Sequence, residues 1–274
     1  MTPNDIRAAV RRPLSAAVAG LAVIGVGAMM LAAGPQTSAV AAGETFSEAQ
    51  KGQIEGIIKA YLLKNPELMV EIQRTLEQKQ EVARQETMTK AVSSNAASLY
   101  RSSTAPVAGD VNGDVTVVEF FDYNCGYCRK AVGDVTKLIA SDKKVRVVLK
   151  EFPIFGKRSE DVARLALAAK IQGKYWEMHQ ALFERKGKDH ADPAIAIELA
   201  KGLGLDVDKL QKDATSDEVT KEILRVRQLA DKMGIQGTPH FIIGEKVIPG
   251  APEDLFDEMA SLVGEVRKNG CKIC

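Results

Sequence analysis

The stretch "VVEFFDYNCGYCRKAV", Val117–Val132, decides the fold, because an apolar run stops at two cysteines that are separated by two residues. The apolar run predicts a buried strand, Val115–Phe121, and the residues after it have the composition of a helix that extends to about Ala140. Cys125 and Cys128 therefore stand at a predicted strand-to-helix junction. Their spacing is compatible with a redox centre, with half of a metal site and with a structural disulfide.

The position of Cys125 favours redox chemistry. It lies beside the unpaired N–H groups of the first helical turn, which stabilise a thiolate. The thiolate is the attacking species in disulfide exchange, and in such motifs the thiol pKa falls well below its free value of about 8.5. We predict that Cys125 is the nucleophile. Cys128, one turn further along, is predicted to attack the mixed disulfide on Cys125 and release the partner.

The rest of the chain predicts an α/β fold around this motif. A second strand, Val145–Phe152, follows the first helix, and residues 159–230 are largely helical in segments bounded by Gly, Pro, Asp or Ser. The chain returns to strands in "HFIIGEKVIPG", residues 240–250, and ends with a helix from Pro252 to about Lys268. The predicted order is β-α-β, a helical insertion, and β-β-α.

Thr238 and Pro239 precede the third predicted strand directly. A proline removes a ladder hydrogen bond from a strand unless it occupies the first position. Only about one X-Pro bond in twenty is cis in folded proteins. In this context a cis Thr238–Pro239 bond is nevertheless expected.

Four motifs in this order, "EFFDYNCGYC", "LKEFPIFG", "KYWEMHQALF" and "GTPHFIIG", resemble the DsbA-like branch of the thioredoxin superfamily. The resemblance covers residues 107–268. It implies a thioredoxin fold with an inserted helical domain at about 156–232, preceded here by an N-terminal helical extension. It also implies that Thr238 and Pro239 form a loop that faces the redox cysteines and binds substrate.

Within that branch, "CGYC" together with "AYLLKNPELMVEIQRTLEQKQ" looks most like the suppressor-of-copper-sensitivity C (ScsC) proteins. Those proteins are periplasmic and can oligomerise through an N-terminal extension. The DsbA oxidases carry Pro-His between their cysteines, whereas this chain has Gly126-Tyr127, as disulfide isomerases do. Gly126 and Tyr127 are therefore predicted to tune the thiols, and strong oxidase activity is not expected.

Two charged residues, Glu119 and Lys150, interrupt the predicted apolar strands. Long charged side chains are seldom buried without a partner. The resemblance implies that both lie beneath the redox pair, where a buried Glu119–Lys150 pair would handle the proton of Cys128 and tune the thiol pKa values. The alternative is that one or both point to solvent. Tyr175, in a predicted helix, is assigned to packing.

The N-terminus has the features of an export signal. Arginines precede an apolar run rich in Ala and Gly, and residues 1–41 are predicted to be a signal peptide that is cleaved after Ala41. A retained membrane anchor is an alternative, since about 20 apolar residues can span a bilayer. Twin-arginine export is another. A periplasmic location follows from the main prediction.

Residues 42–92 are predicted to be an N-terminal helical region, with Ser47 and Gln50 spaced as a capping box. Its second half carries a narrow apolar stripe among charged residues, which cannot bury itself alone. We expect copies of the chain to associate through residues 46–92, with packing on the chain's own domain as the alternative. Residues 93–106, rich in Ser and Ala, are predicted to be a partly flexible linker.

Charge and composition exclude one class of partner. Removing residues 1–41 takes away three of the 37 basic and one of the 36 acidic side chains, which leaves 34 against 35. The mature chain has no basic cluster that could neutralise a row of phosphates. No nucleic acid partner is expected, and no cofactor beyond the redox-active Cys125–Cys128 disulfide.

A second Cys-x-x-Cys pair, Cys271 and Cys274, lies in the tail "NGCKIC", residues 269–274, outside the resemblance. Three interpretations compete: a local disulfide, a redox relay with the first pair, and a soft ligand pair for Cu(I) or zinc. No metal site is firmly predicted.

These patterns predict a periplasmic thiol-disulfide oxidoreductase with isomerase or reductase bias. Its expected partners are unfolded or misdisulfided exported proteins and a thiol-disulfide redox partner in the membrane. An oligomer would gather several sites, which suits reshuffling better than one-way oxidation. The alternatives are a monomeric DsbA-type oxidase and, from another class, a copper-binding or chaperone protein that uses the same thiols as ligands.

Overall fold

The computed structural model describes residues 46–185, 187 and 190–274. The predicted signal peptide, residues 1–41, lies outside the described residues. The chain divides into two compact units, with the division between Lys64 and Asn65. No helix within the described ranges is long and apolar enough to cross a membrane.

The described part of the first unit is one helix, α1 (Glu48–Lys64). Its predicted capping box is confirmed, because the Ser47 N–H donates to Gln50 Oε1 at 2.8 Å and the Gln50 N–H donates to Ser47 Oγ at 3.3 Å. No residue of α1 is buried. Ile57 and Leu63 are 68% and 74% exposed, so the apolar face of α1 is available for contacts.

The second unit is built on a five-stranded sheet with the order β1-β3-β2-β4-β5. Its strands are β1 (Val107–Gly109), β2 (Val115–Phe121), β3 (Val145–Glu151), β4 (His240–Ile243) and β5 (Lys246–Pro249). Strands β2 and β3 are parallel and the other neighbours are antiparallel. The predicted strands are confirmed. The sequence pattern missed β1, because three residues are too few to show alternation.

The helices of the second unit are α2 (Glu67–Ser94), α3 (Ala96–Tyr100), α4 (Gly126–Ser141), α5 (Lys157–Ile171), α6 (Tyr175–Glu184), α7 (Pro193–Gly202), α8 (Val207–Ala214), α9 (Asp217–Met233) and α10 (Leu255–Asn269). Helix α4 provides the crossover that a parallel β2–β3 pair requires. Helices α5 to α9 lie between β3 and β4 along the chain. The predicted α/β thioredoxin fold with a helical insertion and an N-terminal helical region is confirmed.

The sheet separates two apolar clusters. Because side chains alternate along a strand, Val117 and Phe121 point to one face, with α4, α10 and most of the insertion, and we call it the front face. Val118 and Phe120 point to the other face, with the end of α2, with α3 and with the second half of α9. We call this the rear face.

The predicted linker, residues 93–106, is instead part of the rear-face cluster. Val92, Ala96 and Leu99 recur at helical spacing and are buried, and Tyr100 is buried beside them. The Tyr100 hydroxyl donates to the carbonyl of Gly244. The Ser- and Ala-rich composition hid this stripe, because small residues that pack closely resemble those of a flexible connection.

The apolar stripe of α2 is exposed over most of its length. Val92 is the single buried residue of this helix. Met69, Ile72 and Leu76 are between 53% and 58% exposed. The predicted alternative, in which the whole stripe packs on its own domain, therefore holds for the end of α2 alone.

Candidate active site

Cys125 is the N-cap residue of α4. Its backbone is extended, and its sulfur accepts the backbone N–H of Cys128 at 3.4 Å. The turn from β2 into α4 is fixed by Asp122, whose carbonyl accepts the Cys125 N–H at 3.0 Å and whose Oδ1 accepts the Asn124 N–H at 2.7 Å. The predicted strand-to-helix junction is therefore confirmed.

The two thiols differ in surroundings and in pKa. The pKa of Cys125 is lowered to about 6, chiefly by a hydrogen bond with the Cys128 side chain and also by Thr238 and by the N–H groups of Cys128 and Tyr127, while burial opposes the change. The pKa of Cys128, which is fully buried, is raised by burial, by Cys125 and by the charge of Glu119. Cys125 is thus the thiolate at neutral pH, and Cys128 remains a thiol.

Of the two residues between the cysteines, Tyr127 acts on Cys125 through its backbone. The Tyr127 N–H contributes to the low pKa of Cys125, while its side chain is 66% exposed. A Cβ added at Gly126 would meet nothing within 4 Å. The glycine therefore leaves open space beside the nucleophile rather than relieving a close contact.

The loop before β4 faces the nucleophile as predicted. The Thr238–Pro239 bond is cis, which confirms the expectation. When it is protonated, the Cys125 thiol donates to the carbonyl of Thr238, which lies 3.2 Å from the sulfur. On the other side of the loop, the Gly250 N–H donates to the Pro239 carbonyl at 2.9 Å. The redox thiol and the loop are thus joined by a direct contact.

Glu119 lies on the front face, where the sequence predicted it. It is 2% exposed, and burial raises its pKa to about 8, with the negative charge of Cys125 acting in the same direction. Its charge also raises the pKa of Cys128. A buried carboxyl whose pKa is about 8 can accept a proton from a neighbouring thiol when it is deprotonated, which is compatible with the predicted role.

Lys150 does not pair with Glu119, and this part of the prediction is wrong. In the β2–β3 register Glu119 stands opposite Leu149, and Lys150 stands opposite Phe120. Lys150 therefore points to the rear face, where its Nζ donates to the carbonyl of Ser98 at 2.8 Å. Burial lowers its pKa to about 8, although Glu222 opposes this. The side chain lines a rear-face cavity of about 530 Å³.

The front face instead holds a second carboxyl, Glu151, which the sequence argument passed over. Its Oε1 accepts the hydroxyls of Tyr123 at 2.9 Å and Tyr175 at 2.7 Å. Burial is the main reason why its pKa is raised. Tyr123 also lies 3.2 Å from Nδ1 of His179, whose pKa burial lowers to about 3. The alternation of β3 could have placed Glu151 on the front face, because it is two residues from Leu149, which is in the front-face cluster.

The Cys271–Cys274 pair forms a disulfide, with a Cα–Cα distance of 5.6 Å. Ile273 and Cys274 pack against the rear-face cluster, whereas Cys125 and Cys128 belong to the front-face cluster. The sheet therefore lies between the two pairs. Among residues 46–185, 187 and 190–274, no group of three or more His, Cys, Asp and Glu side chains could hold a metal ion.

Residues 116–259, just over half of the chain, match the DSBA-like thioredoxin domain. The chain belongs to the DSBA-like thioredoxin family. Residues 50–83 of this DSBA-like protein match the copper resistance protein ScsC N-terminal domain, which confirms the resemblance that the sequence motifs indicated. The dithiol Cys125–Cys128 and the cis-proline loop both lie within the part of the chain that matches the DSBA-like domain.

Solved structures resemble this DSBA-like protein over most of their own length. A thioredoxin-like oxidoreductase from Silicibacter pomeroyi DSS-3 is 43% identical, with 63% of this chain and 97% of that chain covered and a TM-score of 0.60. BcfH from Salmonella enterica Typhimurium is 27% identical, with 80% and 96% covered and a TM-score of 0.70. A linker-deletion variant of ScsC from Proteus mirabilis is 26% identical, with 82% and 98% covered and a TM-score of 0.61.

Curated relatives match a shorter share of their length. A Na(+)/H(+) antiporter of the NhaA type from Salinispora tropica is 32% identical over 139 residues, and the alignment covers 50% of this chain. The chain spans 21% of that relative.

Proposed function

We propose that this protein is a periplasmic thiol-disulfide oxidoreductase that reduces or isomerises disulfides in exported proteins. The observation that carries the proposal is the separation of the two thiol pKa values at the cis-proline loop. Cys125, with a pKa lowered to about 6, is the nucleophile. Buried Cys128, with a raised pKa, stays protonated until it resolves the mixed disulfide. This is the arrangement that disulfide exchange requires.

The first step is attack by the Cys125 thiolate on one sulfur of a substrate disulfide. A bond forms between Cys125 and that sulfur, the substrate disulfide breaks, and the other substrate sulfur leaves as a thiolate. If a second substrate thiolate then attacks the mixed disulfide on the substrate side, Cys125 is released unchanged. The substrate has been isomerised with no net transfer of electrons.

The second outcome is reduction. Glu119 accepts the proton of Cys128 from its carboxylate form, which a pKa of about 8 leaves as a minor fraction at neutral pH. The new Cys128 thiolate attacks the Cys125 sulfur of the mixed disulfide, and the substrate leaves as a thiolate with two electrons more than it brought. The Cys125–Cys128 disulfide that remains needs an external reductant, which we assign to a thiol-disulfide partner in the membrane. The raised pKa of Glu119 suits it for this proton transfer near neutral pH.

Substrate binding is supported by an exposed apolar rim beside the nucleophile. Asp122, which fixes the turn before Cys125, also accepts the N–H groups of Ile154 at 2.8 Å and Phe155 at 3.1 Å. Phe155 is 56% exposed, and Tyr127 is 66% exposed. Exposed apolar side chains around a polar centre are typical of surfaces that bind unfolded protein. The backbone of Thr238 would pair with the substrate chain.

We further propose that copies of the chain associate through α2, which would favour isomerisation. Its exposed Met69, Ile72 and Leu76 form a stripe that a second copy of the chain would cover, and the stripe lies within the ScsC N-terminal match. The periplasmic location rests on the predicted signal peptide. The monomeric oxidase is the alternative, and it needs no contact at α2.

The test uses the chain without residues 1–41 in two assays, insulin reduction and refolding of scrambled ribonuclease. Cys125→Ser should lose both activities. Leu76→Lys should dissociate the oligomer in sedimentation velocity and lower ribonuclease refolding while insulin reduction remains. Gln78→Lys, the same added charge on the polar side of α2, is the matched control. Equal refolding by dissociated Leu76→Lys would favour the monomeric enzyme, and inactivity of the unaltered chain would overturn the proposal.

Copper binding by the same thiols is still an untested prediction. Thiolates suit Cu(I), and Cys125 fits this requirement, but burial and the raised pKa of Cys128 disfavour its thiolate. Binding of Cu(I) would compete with disulfide exchange because both need the same sulfurs. Insulin reduction that persists in stoichiometric Cu(I) would argue against it.

A further inference from the structure

The tail disulfide Cys271–Cys274 has no part in the mechanism above. It follows the end of α10 on the rear face, with Ile273 and Cys274 packed on the rear-face cluster. Because the sheet separates it from Cys125, direct exchange between the two pairs of one chain is blocked. If this disulfide takes part in thiol-disulfide exchange, its reaction partner is therefore another molecule.

The disulfide contributes little to holding the tail in place. It joins residues only three apart in sequence, so it links the tail to itself and not to the core. A short closed loop also restricts the unfolded chain less than a long one. The tail is anchored by other contacts, since Arg101 Nη1 donates to the carbonyls of Ile273 and Cys274, each at 2.8 Å. Structural stabilisation therefore does not explain why the tail carries a disulfide.

The local geometry repeats that of the active-site motif. The backbone N–H of Cys274 donates to Cys271 Sγ at 3.2 Å, as the N–H of Cys128 does to Cys125 Sγ at 3.4 Å. In both pairs the first sulfur would be stabilised as a thiolate after reduction. A basic side chain lies at the second cysteine, because Arg101 donates to the carbonyl of Cys274. Its positive charge favours the thiolate of Cys274 after reduction.

We propose that Cys271–Cys274 is a second redox-active disulfide, which accepts electrons from a dithiol of another protein independently of Cys125 and Cys128. A partner thiolate attacks Cys271, which is partly exposed and not packed against either cluster. The Cys271–Cys274 bond breaks and Cys274 leaves as a thiolate. The partner's second thiolate then attacks the mixed disulfide, so the partner gains a disulfide and the tail holds two thiols.

The probe is reduced glutathione, applied to the chain with Cys125→Ser and Cys128→Ser so that the tail is the reacting disulfide. Acid quenching and maleimide gel shifts follow its reduction with time. A peptide of residues 268–274 with the same disulfide is the matched control, because it lacks Arg101. The tail of the folded chain should be reduced faster than the peptide. A tail that resists glutathione, or that reacts at the rate of the peptide, would overturn the proposal.

Arg101→Gln tests the electrostatic part. It removes the cation that contacts the carbonyl of Cys274, so the pKa of the leaving Cys274 thiol should rise and exchange should slow. Tail reduction should therefore be slower than in the unaltered tail, while insulin reduction by Cys125 in a chain with Cys128 intact stays unchanged. No change in the tail rate would contradict the assigned role of Arg101 and, with it, the proposal.

Independence from the first pair is tested with Cys128→Ser combined with Cys274→Ser, which leaves Cys125 and Cys271. Each should form its own glutathione adduct, and a Cys125–Cys271 crosslink within one chain would overturn the separation. Cys271→Ser with Cys274→Ser reports the activity of the first pair alone. Failure of the tail chemistry is therefore distinguishable from failure of the proposed oxidoreductase.

Discussion

Glu119 and Lys150 lie on neighbouring parallel strands, and each is 2% exposed, yet they serve opposite faces of the sheet. On the front face, Glu119 is a buried carboxyl next to a buried thiol, with a pKa raised to about 8. On the rear face, Lys150 donates to a backbone carbonyl of α3. The comparison teaches that strand alternation, and not burial or charge, decides which ionisable side chain can take part in the thiol chemistry.

The largest expected effect is on the resolving step. Glu119→Gln removes the proton acceptor of Cys128, so resolution should slow by about a hundredfold, in the range of general acid-base catalysis. The mixed disulfide on Cys125 should then accumulate, visible by acid quenching and mass spectrometry. Glu222→Gln, the same change at a buried rear-face position, is the control. If both variants resolved at the normal rate, the assignment of Glu119 would fail.

The same variant should be more stable at neutral pH. The folded-state pKa of Glu119 is raised above its unfolded value, so its favourable contribution is present below about pH 4.5 and is lost as the pH rises to about 8. Glutamine does not titrate, and the free energy of unfolding of Glu119→Gln should exceed that of the unaltered chain by about 3 kcal/mol at pH 7. Denaturation of the oxidised protein measures this, and a difference that did not shrink toward pH 4.5 would contradict it.

Lys150→Met tests whether the rear-face lysine contributes to stability and not to the thiol chemistry. It removes the hydrogen bond to the Ser98 carbonyl, and because a bond from a charged donor contributes about 1.5 to 3 kcal/mol, the free energy of unfolding should fall by about that amount. Insulin reduction should stay within about twofold of the unaltered rate, which is an ordinary variation for a residue remote from the chemistry. A loss of insulin reduction as large as that of Glu119→Gln would show that Lys150 takes part in the thiol chemistry.

The smallest expected effect concerns the second front-face carboxyl. Tyr175→Phe removes one of the two hydroxyls that donate to Glu151 Oε1, so the free energy of unfolding should fall by about 1 kcal/mol. Thermal denaturation and insulin reduction give the two readouts. Reduction should be unaffected, because Tyr123 still donates to Glu151. A marked loss of reduction without a loss of stability would show that Glu151 acts on the thiols.

Local motifs made the centre of the site predictable. Cys125 at the end of an apolar run predicted the strand-to-helix junction, and Pro239 before a strand predicted the cis bond, because each depends on neighbours in sequence. Lys150 was misplaced because its face depends on the register between β2 and β3. Glu151 was missed because its face also depends on that register. The alternation of β3 shows only that Glu151 and Leu149 lie on the same face.

Composition misled where small residues pack closely. The segment around Leu99 and Tyr100 has few large side chains, and those few are buried on the rear face. Spacing, and not the Ser and Ala content, carried the signal there. For the tail, the sequence showed the second cysteine pair but not its position, which depends on Arg101 and on the rear-face cluster.

The most direct test of the account is the pH dependence of iodoacetamide alkylation of Cys125 in the reduced first pair, located by mass spectrometry. The separation of the two thiol pKa values predicts that the rate rises through a midpoint near pH 6, while Cys128 remains unmodified. A midpoint near the free-thiol value of about 8.5, or modification of Cys128 at the same rate, would contradict the central claim.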